Sequence, residues 1–205
     1  GSGTIKGVAS RYNDTIQLFF AQNTDWAGLT ETRFTLEEHK YTLSIGADTK
    51  AGISDNQMVW KAGDKVFLSD GSTSVLCTIP DEYNGQTTAT VKTKQHLSNN
   101  VLCIYPGESV TQEGDYFYVD IPEDQGVDGS AYMVCSGNST SNYIQLSLRN
   151  TLMKVTLKSD MVDLDYIRIT VEGSPIVGRL KIDEQGVEVI SGTQAAKVSA
   201  HGDNV

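Results

Sequence analysis

Acidic side chains are the most frequent ionisable groups in this sequence, and their type could serve metal binding or acid–base chemistry. The 205-residue chain has 26 Asp and Glu against 16 Lys and Arg, which gives a formal net charge of -10. They are densest in one stretch, where their oxygens could bind calcium: Glu113, Asp115, Asp120, Glu123, Asp124 and Asp128. Their spacing does not match a calcium-binding loop. We therefore predict a solvated acidic rim and no metal site.

Catalytic motifs are absent from the sequence. Two carboxylates facing each other across a cleft would suit glycoside hydrolysis, but no pair is singled out. The sequence has no Gly-x-Ser-x-Gly elbow, no His-Glu-x-x-His helix and no phosphate-binding glycine loop. We predict a protein that is not an enzyme, with no catalytic residue and no cofactor.

Cys77, Cys103 and Cys135 are an odd set with wide spacing, and each has apolar neighbours. Zinc sites need closely spaced pairs of ligands, and a catalytic cysteine needs a nearby histidine. The three histidines are scattered through the sequence: His39, His96 and His201. Free cysteines are usually buried, which favours unpaired buried thiols, and a Cys77 to Cys103 disulfide is the alternative.

Three aromatic side chains could stack against a sugar. Tyr116 and Tyr118 share one face of a predicted strand, and Trp26 lies in a polar loop. Ordinary cross-strand packing is the favoured interpretation of the tyrosines.

Arg33 lies in the polar segment 30–40, where an exposed loop would be open to a trypsin-like protease. The favoured interpretation of Arg33 is an ordinary surface residue.

Alternation of apolar and polar residues predicts the strands that position these groups. Ile167, Ile169 and Val171 alternate with polar residues over 166–172, and the same pattern covers 143–149, 152–158 and 116–121. Shorter candidate strands are 15–20, 40–45, 65–68, 74–79, 87–92, 101–105, 131–135, 178–183 and 187–190.

Turn dipeptides separate these runs: Asp70-Gly71, Asn84-Gly85, Glu113-Gly114, Gly137-Asn138, Glu172-Gly173 and Gln185-Gly186. Only residues 29–39 have a pattern that would allow a short helix, and a mobile loop is the alternative there. Frequent strands and turns predict an all-β fold, an antiparallel Greek-key β-sandwich with little helix.

The acidic charge argues against binding to nucleic acid and to anionic membranes, and the short apolar runs argue against a membrane-spanning helix. Nucleic acid and anionic membrane surfaces need clustered Lys and Arg, which no segment supplies. The longest apolar runs have the length of a strand, far below the ~20 residues of a membrane-spanning helix.

Several segments, in order, carry a family resemblance. Trp60, Gly63 and Asp64 form a Trp-x-x-Gly-Asp motif within 58–66, and a later strand ends in Tyr105-Pro106. The remaining segments are 121–125, 131–134, 148–157, 167–171 and 176–178. Together they resemble the N-terminal sandwich domain of the Bacteroidales fimbrillin-like proteins, which include type V pilus subunits and surface adhesins.

The resemblance implies a transthyretin-like sandwich over 40–192. Residues 1–39 would be an N-terminal strand and polar loop, and 193–205 a tail that could begin a second domain. It also implies a non-enzymatic lipoprotein of the cell surface or outer membrane, anchored by a lipid outside this sequence. Its subunits would assemble by donating a β-strand to a neighbour.

The resemblance gives two residues and several partners a role. In fimbrillins a protease cuts after an arginine and removes the first strand, which makes Arg33 a candidate maturation site. Asp14-Thr15-Ile16 resembles a bacterial O-glycosylation acceptor, with Thr15 as the modified residue. The expected partners are other pilus or surface-protein subunits, and a host or dietary glycan or a host protein. A carbohydrate-binding surface lipoprotein is the alternative function.

Overall fold

A computed structural model describes residues 8–12, 15–19, 37–45, 58–98, 100–125, 133–151 and 166–199. Within these ranges the chain forms sixteen strands and two single-turn 3-10 helices, Asp81–Tyr83 and Gly107–Ser109, and no α-helix. The predicted all-β class is confirmed. The chain divides into two compact units, residues 1–37 and 38–205.

The first unit contains an antiparallel pair of strands. β1 (Val8–Tyr12) pairs with β2 (Thr15–Phe19). Thr15 is the first residue of β2 and lies opposite Tyr12. The sequence predicted β2 but not β1, because 8–12 lacks a clear apolar alternation. Trp26 and Arg33 lie outside the residues that the structure describes, as does most of the segment predicted as a short helix.

Seven strands of the second unit form one mixed sheet. They are β3 (His39–Ile45), β4 (Lys65–Ser69), β5 (Ser74–Thr78), β6 (Thr88–Thr93), β7 (Val101–Tyr105), β11 (Cys135–Ser139) and β12 (Tyr143–Leu148). Their order across the sheet is β5-β4-β7-β11-β12-β3-β6. The pairing of β3 with β12 is parallel, which an all-antiparallel prediction misses. The end strands β5 and β6 contact each other, so the sheet folds back on itself.

The folded sheet encloses a first core. Tyr41, Leu43 and Ile45 alternate along β3 and point inward, as the sequence pattern predicts for a half-buried strand. Trp60 is fully buried among them and makes an edge-to-face contact with the Tyr105 ring, with centroids 5.5 Å apart. Burying such a ring favours folding by removing a large apolar surface from water.

A four-stranded sheet packs against the outer face of the folded seven-stranded sheet, at β7. It consists of β8 (Val110–Glu113), β9 (Tyr116–Ile121), β14 (Val177–Ile182) and β15 (Val187–Thr193), in the order β15-β14-β9-β8. Val101 and Cys103 of β7 point into the first core, whereas Leu102 and Ile104 point into a second core against this sheet. The continuous apolar run of β7 is therefore that of a strand buried on both faces.

The described part of the second unit also contains a small three-stranded sheet. It pairs β10 (Asp124–Gln125), β16 (Ala195–Ser199) and β13 (Tyr166–Thr170) in the order β10-β16-β13. β16 lies in the segment predicted as a C-terminal tail. The predicted strand 152–158 lies outside the described residues, and the strand predicted over 131–135 begins only at Cys135.

Two of the predicted turn sites show what glycine does in this fold. Gly71 has a φ of 87° in the β4–β5 turn, a conformation that other residues adopt at a cost. Asp70 fixes that turn, because its carboxylate accepts bonds from the Thr73 and Ser98 backbone N–H groups at 2.7 and 2.8 Å. These bonds lower the pKa of Asp70 to about 2. The sequence predicted a turn at Gly137, and this prediction is wrong because Gly137 lies within β11. A Cβ at this position would overlap the Gln145 carbonyl of β12.

Candidate assembly surface

Strands β13 to β16 form one long hairpin, called here the β13–β16 hairpin. β13 pairs with β16, and β14 pairs with β15. Hydrogen bonds from Val171 N to Gln194 O and from Ile176 N to Thr193 O, both 2.9 Å, continue the pairing across the junction. The chain reverses at 183–186, where the Asp183 carboxylate accepts bonds from the backbone N–H groups of Gln185 and Gly186 at 2.9 and 3.0 Å.

Two glycines face each other across the hairpin. Gly178 of β14 lies opposite Gly192 of β15, and Gly178 has a φ of 139°. A Cβ on Gly178 would overlap the Ser191 carbonyl, and a Cβ on Gly192 would overlap the Val177 carbonyl. The two backbones therefore approach more closely than any side chain at these positions would allow.

The hairpin carries much of the exposed apolar surface of the described chain. Eight large hydrophobic side chains are exposed among the described residues. Four of the eight lie on the hairpin: Tyr166, Val171, Val189 and Ile190. Val189 and Ile190 are 50% and 49% exposed and adjacent on β15. Adjacent exposed apolar residues on an edge strand are typical of a surface that contacts another protein.

β15 is an edge strand whose sheet is not fully covered. No described strand pairs with its outer side, which leaves backbone N–H and C=O groups without a ladder partner there. Val189 lies opposite Leu180, which is buried in the second core, and opposite residues share a face of the sheet. Val189 is nevertheless half exposed. The second core is therefore open at β15.

A bulge gives this edge a specific shape. Leu180 pairs with Val189 and Arg179 pairs with Ser191, so that Ile190 is an extra residue with no partner on β14. Bulges twist an edge and limit indiscriminate pairing. Glu188 adds an exposed negative charge that pairs with Lys181 at 4.0 Å.

Tyr116 and Tyr118 lie on the outer face of β9, as predicted, but cations cover one face of each ring. Lys181 Nζ lies 4.0 Å from the Tyr116 centroid, and Arg179 Cζ lies 4.2 Å from the Tyr118 centroid. Arg179 also donates to the Glu113 carboxylate at 2.5 Å, which raises the pKa of Arg179. This arrangement favours cross-strand packing, and sugar binding at these tyrosines stays a prediction.

The acidic stretch is dispersed over several elements. Glu113 contacts Arg179, and the Asp124 carboxylate lies 3.9 Å from Lys197 Nζ. Asp115 and Asp120 are exposed, and Asp128 lies outside the described residues. Within the described ranges, no three His, Cys, Asp or Glu side chains are grouped so that they could hold a metal ion.

Cys77, Cys103 and Cys135 are free and buried. The alternative Cys77 to Cys103 disulfide is wrong, because β4 lies between their strands. Strands two apart in a sheet are separated by about 10 Å, beyond the ~7 Å limit between disulfide-bonded Cα atoms. Burial raises the pKa of Cys77 to about 11 and of Cys135 to about 12, and raises that of Cys103 further. Such thiols are poor nucleophiles near neutral pH.

The structure also brings together His39 and His96, which the sequence left apart. The rings of His39 and His96 meet edge to face, with centroids 4.8 Å apart. His39 begins β3, and His96 lies in the connection between β6 and β7. Only the pairing of β3 with β6 places these two segments side by side, so no local motif predicts the contact.

Comparison with models of protein families, with curated proteins and with solved structures finds no match to this chain. Among the residues that the structure describes, no helix is long and apolar enough to cross a membrane.

Proposed function

We propose that the protein is a non-enzymatic subunit of a cell-surface fimbria or adhesin, of the Bacteroidales fimbrillin type, that assembles by β-strand addition between subunits. The proposal rests on the ordered sequence motifs and on an all-β fold with an open sheet edge. Export as a lipoprotein to the outer membrane, with the anchor outside this sequence, is part of it. Its partners are other pilus or surface-protein subunits.

The observation that carries the proposal is the open edge at β15. A strand from another subunit that paired with β15 would satisfy its free backbone groups and cover Val189 and Ile190. Burial of apolar surface contributes about 25 cal/mol per Å² removed from water, so covering two half-exposed aliphatic side chains favours association measurably. The bulge at Ile190 would restrict the edge to strands of matching shape, which favours specific assembly over aggregation.

Cleavage at Arg33 fits the proposal only in part. A cut after Arg33 would leave β3 in place, because β3 begins at His39 and pairs on both sides. Its inward residues Tyr41, Leu43 and Ile45 are buried. The cut would therefore not vacate a slot in the seven-stranded sheet. The acceptor in the proposed assembly is the β15 edge, and maturation at Arg33 stays a separate prediction.

Substitution of Val189 by lysine tests the edge. We expect the wild-type chain to self-associate as its concentration rises, and Val189→Lys to weaken that association at least tenfold, because a charge on the edge opposes strand addition. Sedimentation velocity measures the association. Val189 is half exposed, so folding should change by no more than about 0.5 kcal/mol.

Leu76→Lys is the matched control. Leu76 is 48% exposed and lies on β5, an edge strand of the seven-stranded sheet. We expect this variant to associate as the wild type does. A wild-type chain that stays monomeric at all concentrations, or equal loss of association in both variants, would count against the proposed edge.

A further inference from the structure

The four-stranded sheet has a second edge strand, β8, on the side opposite β15. No strand in the described part of the chain pairs with the outer side of either edge. Neighbouring strands are antiparallel at every step from β15 through β14 and β9 to β8, so β15 and β8 run in opposite directions. A second copy of the chain in the same orientation, placed beside the first, would therefore bring its β8 antiparallel to β15.

The turn at 183–186 determines which backbone groups of β15 point outward. The Asp183 N–H donates to the Gly186 carbonyl at 3.1 Å, which makes these two residues a hydrogen-bonded pair. The bonding direction alternates along an antiparallel strand, so Val187 and Val189 direct their N–H and C=O groups away from β14. Their side chains share the face of the sheet that lies toward the second core, because residues two apart in a strand point the same way.

The short turn before β9 determines the same for β8. Glu113 and Tyr116 face each other across a two-residue turn, which a hydrogen-bonded pair closes. Gln112 and Val110 therefore direct their backbone groups outward and their side chains to the face of the second core. The Val110 N–H is already bonded to the Gly107 carbonyl. The Val110 carbonyl and both backbone groups of Gln112 are left to pair with another strand.

The outward groups of the two edges match in one register. With Val189 opposite Val110 of a second copy and Val187 opposite Gln112, the outward N–H groups of β15 meet the outward carbonyls of β8. The same register places the half-exposed Val189 side chain beside Val110, which is partly buried against the second core. The opening of the second core at β15 would then be closed by the second copy.

Charge favours β8 over a second β15 as the partner. Two copies that paired β15 with β15 through both valines would place Glu188 directly opposite Glu188 of the second copy. Like charges directly opposite each other destabilise a sheet. In the register with β8, Glu188 lies opposite Thr111, which is uncharged, and both side chains are exposed on the outer face.

We propose that the strand added to β15 is β8 of a second copy of this chain. The inference rests on the proposed function, which requires strand addition at β15 without specifying the added strand. Each copy offers one β15 edge and one β8 edge, so the contact joins two different surfaces and can repeat from copy to copy. Such a contact builds an open filament, whereas pairing of β15 with β15 would stop at a dimer.

Complementation between two edge variants tests the partner strand. Gln112→Pro removes an outward N–H of β8, and proline is tolerated in an edge strand where the N–H faces solvent. We expect Gln112→Pro alone to associate about tenfold or more weakly than the wild type, as Val189→Lys does. An equimolar mixture of the two variants should form dimers that grow no further, because each variant keeps the edge that the other has lost. Sedimentation velocity of each variant and of the mixture measures this.

Two substitutions at Thr111 test the register without changing the backbone of β8. Thr111→Glu would place a carboxylate opposite Glu188 and should weaken association about two- to fivefold, whereas Thr111→Lys should strengthen it by a similar factor. Circular dichroism checks that each variant is folded, and the Thr111 pair decides if Gln112→Pro does not fold.

The outcomes separate this inference from the proposed function. A wild type that associates, together with β8 variants that associate as the wild type does or a mixture that forms no dimers, would overturn β8 as the partner and leave addition at β15 standing. A wild type that stays monomeric at all concentrations would overturn both.

Discussion

Alanine at Gly178 is expected to lower the free energy of unfolding by about 4 kcal/mol, because two separate costs combine there. The φ of 139° is one that residues with a Cβ rarely adopt. The added Cβ would also overlap the Ser191 carbonyl and the Gly192 Cα across the hairpin, and backbone atoms cannot move aside as a flexible side chain can. Urea denaturation of the two proteins measures the difference.

Gly114→Ala is the matched control for this prediction. Gly114 has a φ of 61° in the β8–β9 turn, and a Cβ there would meet nothing within 4 Å. Only the conformational cost remains, which is about 1 kcal/mol. Equal destabilisation by Gly114→Ala and Gly178→Ala would show that the close approach of β14 and β15 contributes nothing.

Alkaline pH is expected to destabilise the protein by about 4 kcal/mol between pH 8 and pH 10, through its three thiols. Burial raises the pKa of Cys77 and Cys135 from 9.0 to about 11 and about 12, and that of Cys103 further. The unfolded chain loses these protons near pH 9 while the folded chain keeps them. The stabilisation is thus complete below pH 9 and is lost as pH rises through the folded values.

Each thiol accounts for roughly a third of that change, since pH 10 lies about one unit above the pKa of each thiol in the unfolded chain. The prediction is checked by urea denaturation at the two pH values for the wild type, Cys77→Ala and Cys135→Ala. Each variant also loses packing, but this loss is the same at both pH values and so cancels in the difference between them. The lysines are common to all three proteins, so their ionisation cancels when the proteins are compared. The difference in stability between the two pH values should shrink by about a third in each variant. An unchanged difference would mean that these thiols do not couple folding to pH.

Local patterns predicted most strands because alternation alone defines a half-buried strand. The bounds of β7 and β9 were predicted without error: β7 is a short apolar run, and β9 alternates strictly between Phe117, Val119 and Ile121. Local patterns could not show that β7 is buried on both faces. Its second face is covered by the four-stranded sheet, whose strands β14 and β15 are far from β7 in the sequence. They also placed Gly137 in a turn, since a Gly-Asn pair signals a turn regardless of what the neighbouring strand requires.

The candidate surface was less predictable than the fold. The sequence marked 187–190 as a strand, but its position at an edge follows from the pairing of β14 with β9, which no local signal encodes. The sequence pointed to Tyr116 and Tyr118 as candidate glycan contacts, and the structure places Lys181 and Arg179 over their rings. His39 and His96 likewise share no local sequence signal, because it is the register of β3 and β6 that brings them together.

Hydrogen–deuterium exchange of the chain at low and high concentration tests whether subunits associate through the edge of β15. We expect the amides of 187–193 to become protected as the chain associates, because a paired strand would bond the outward N–H groups of that edge. The amides of β9, which already lies between β8 and β14, should exchange equally at both concentrations. Association with no added protection over 187–193 would contradict the account.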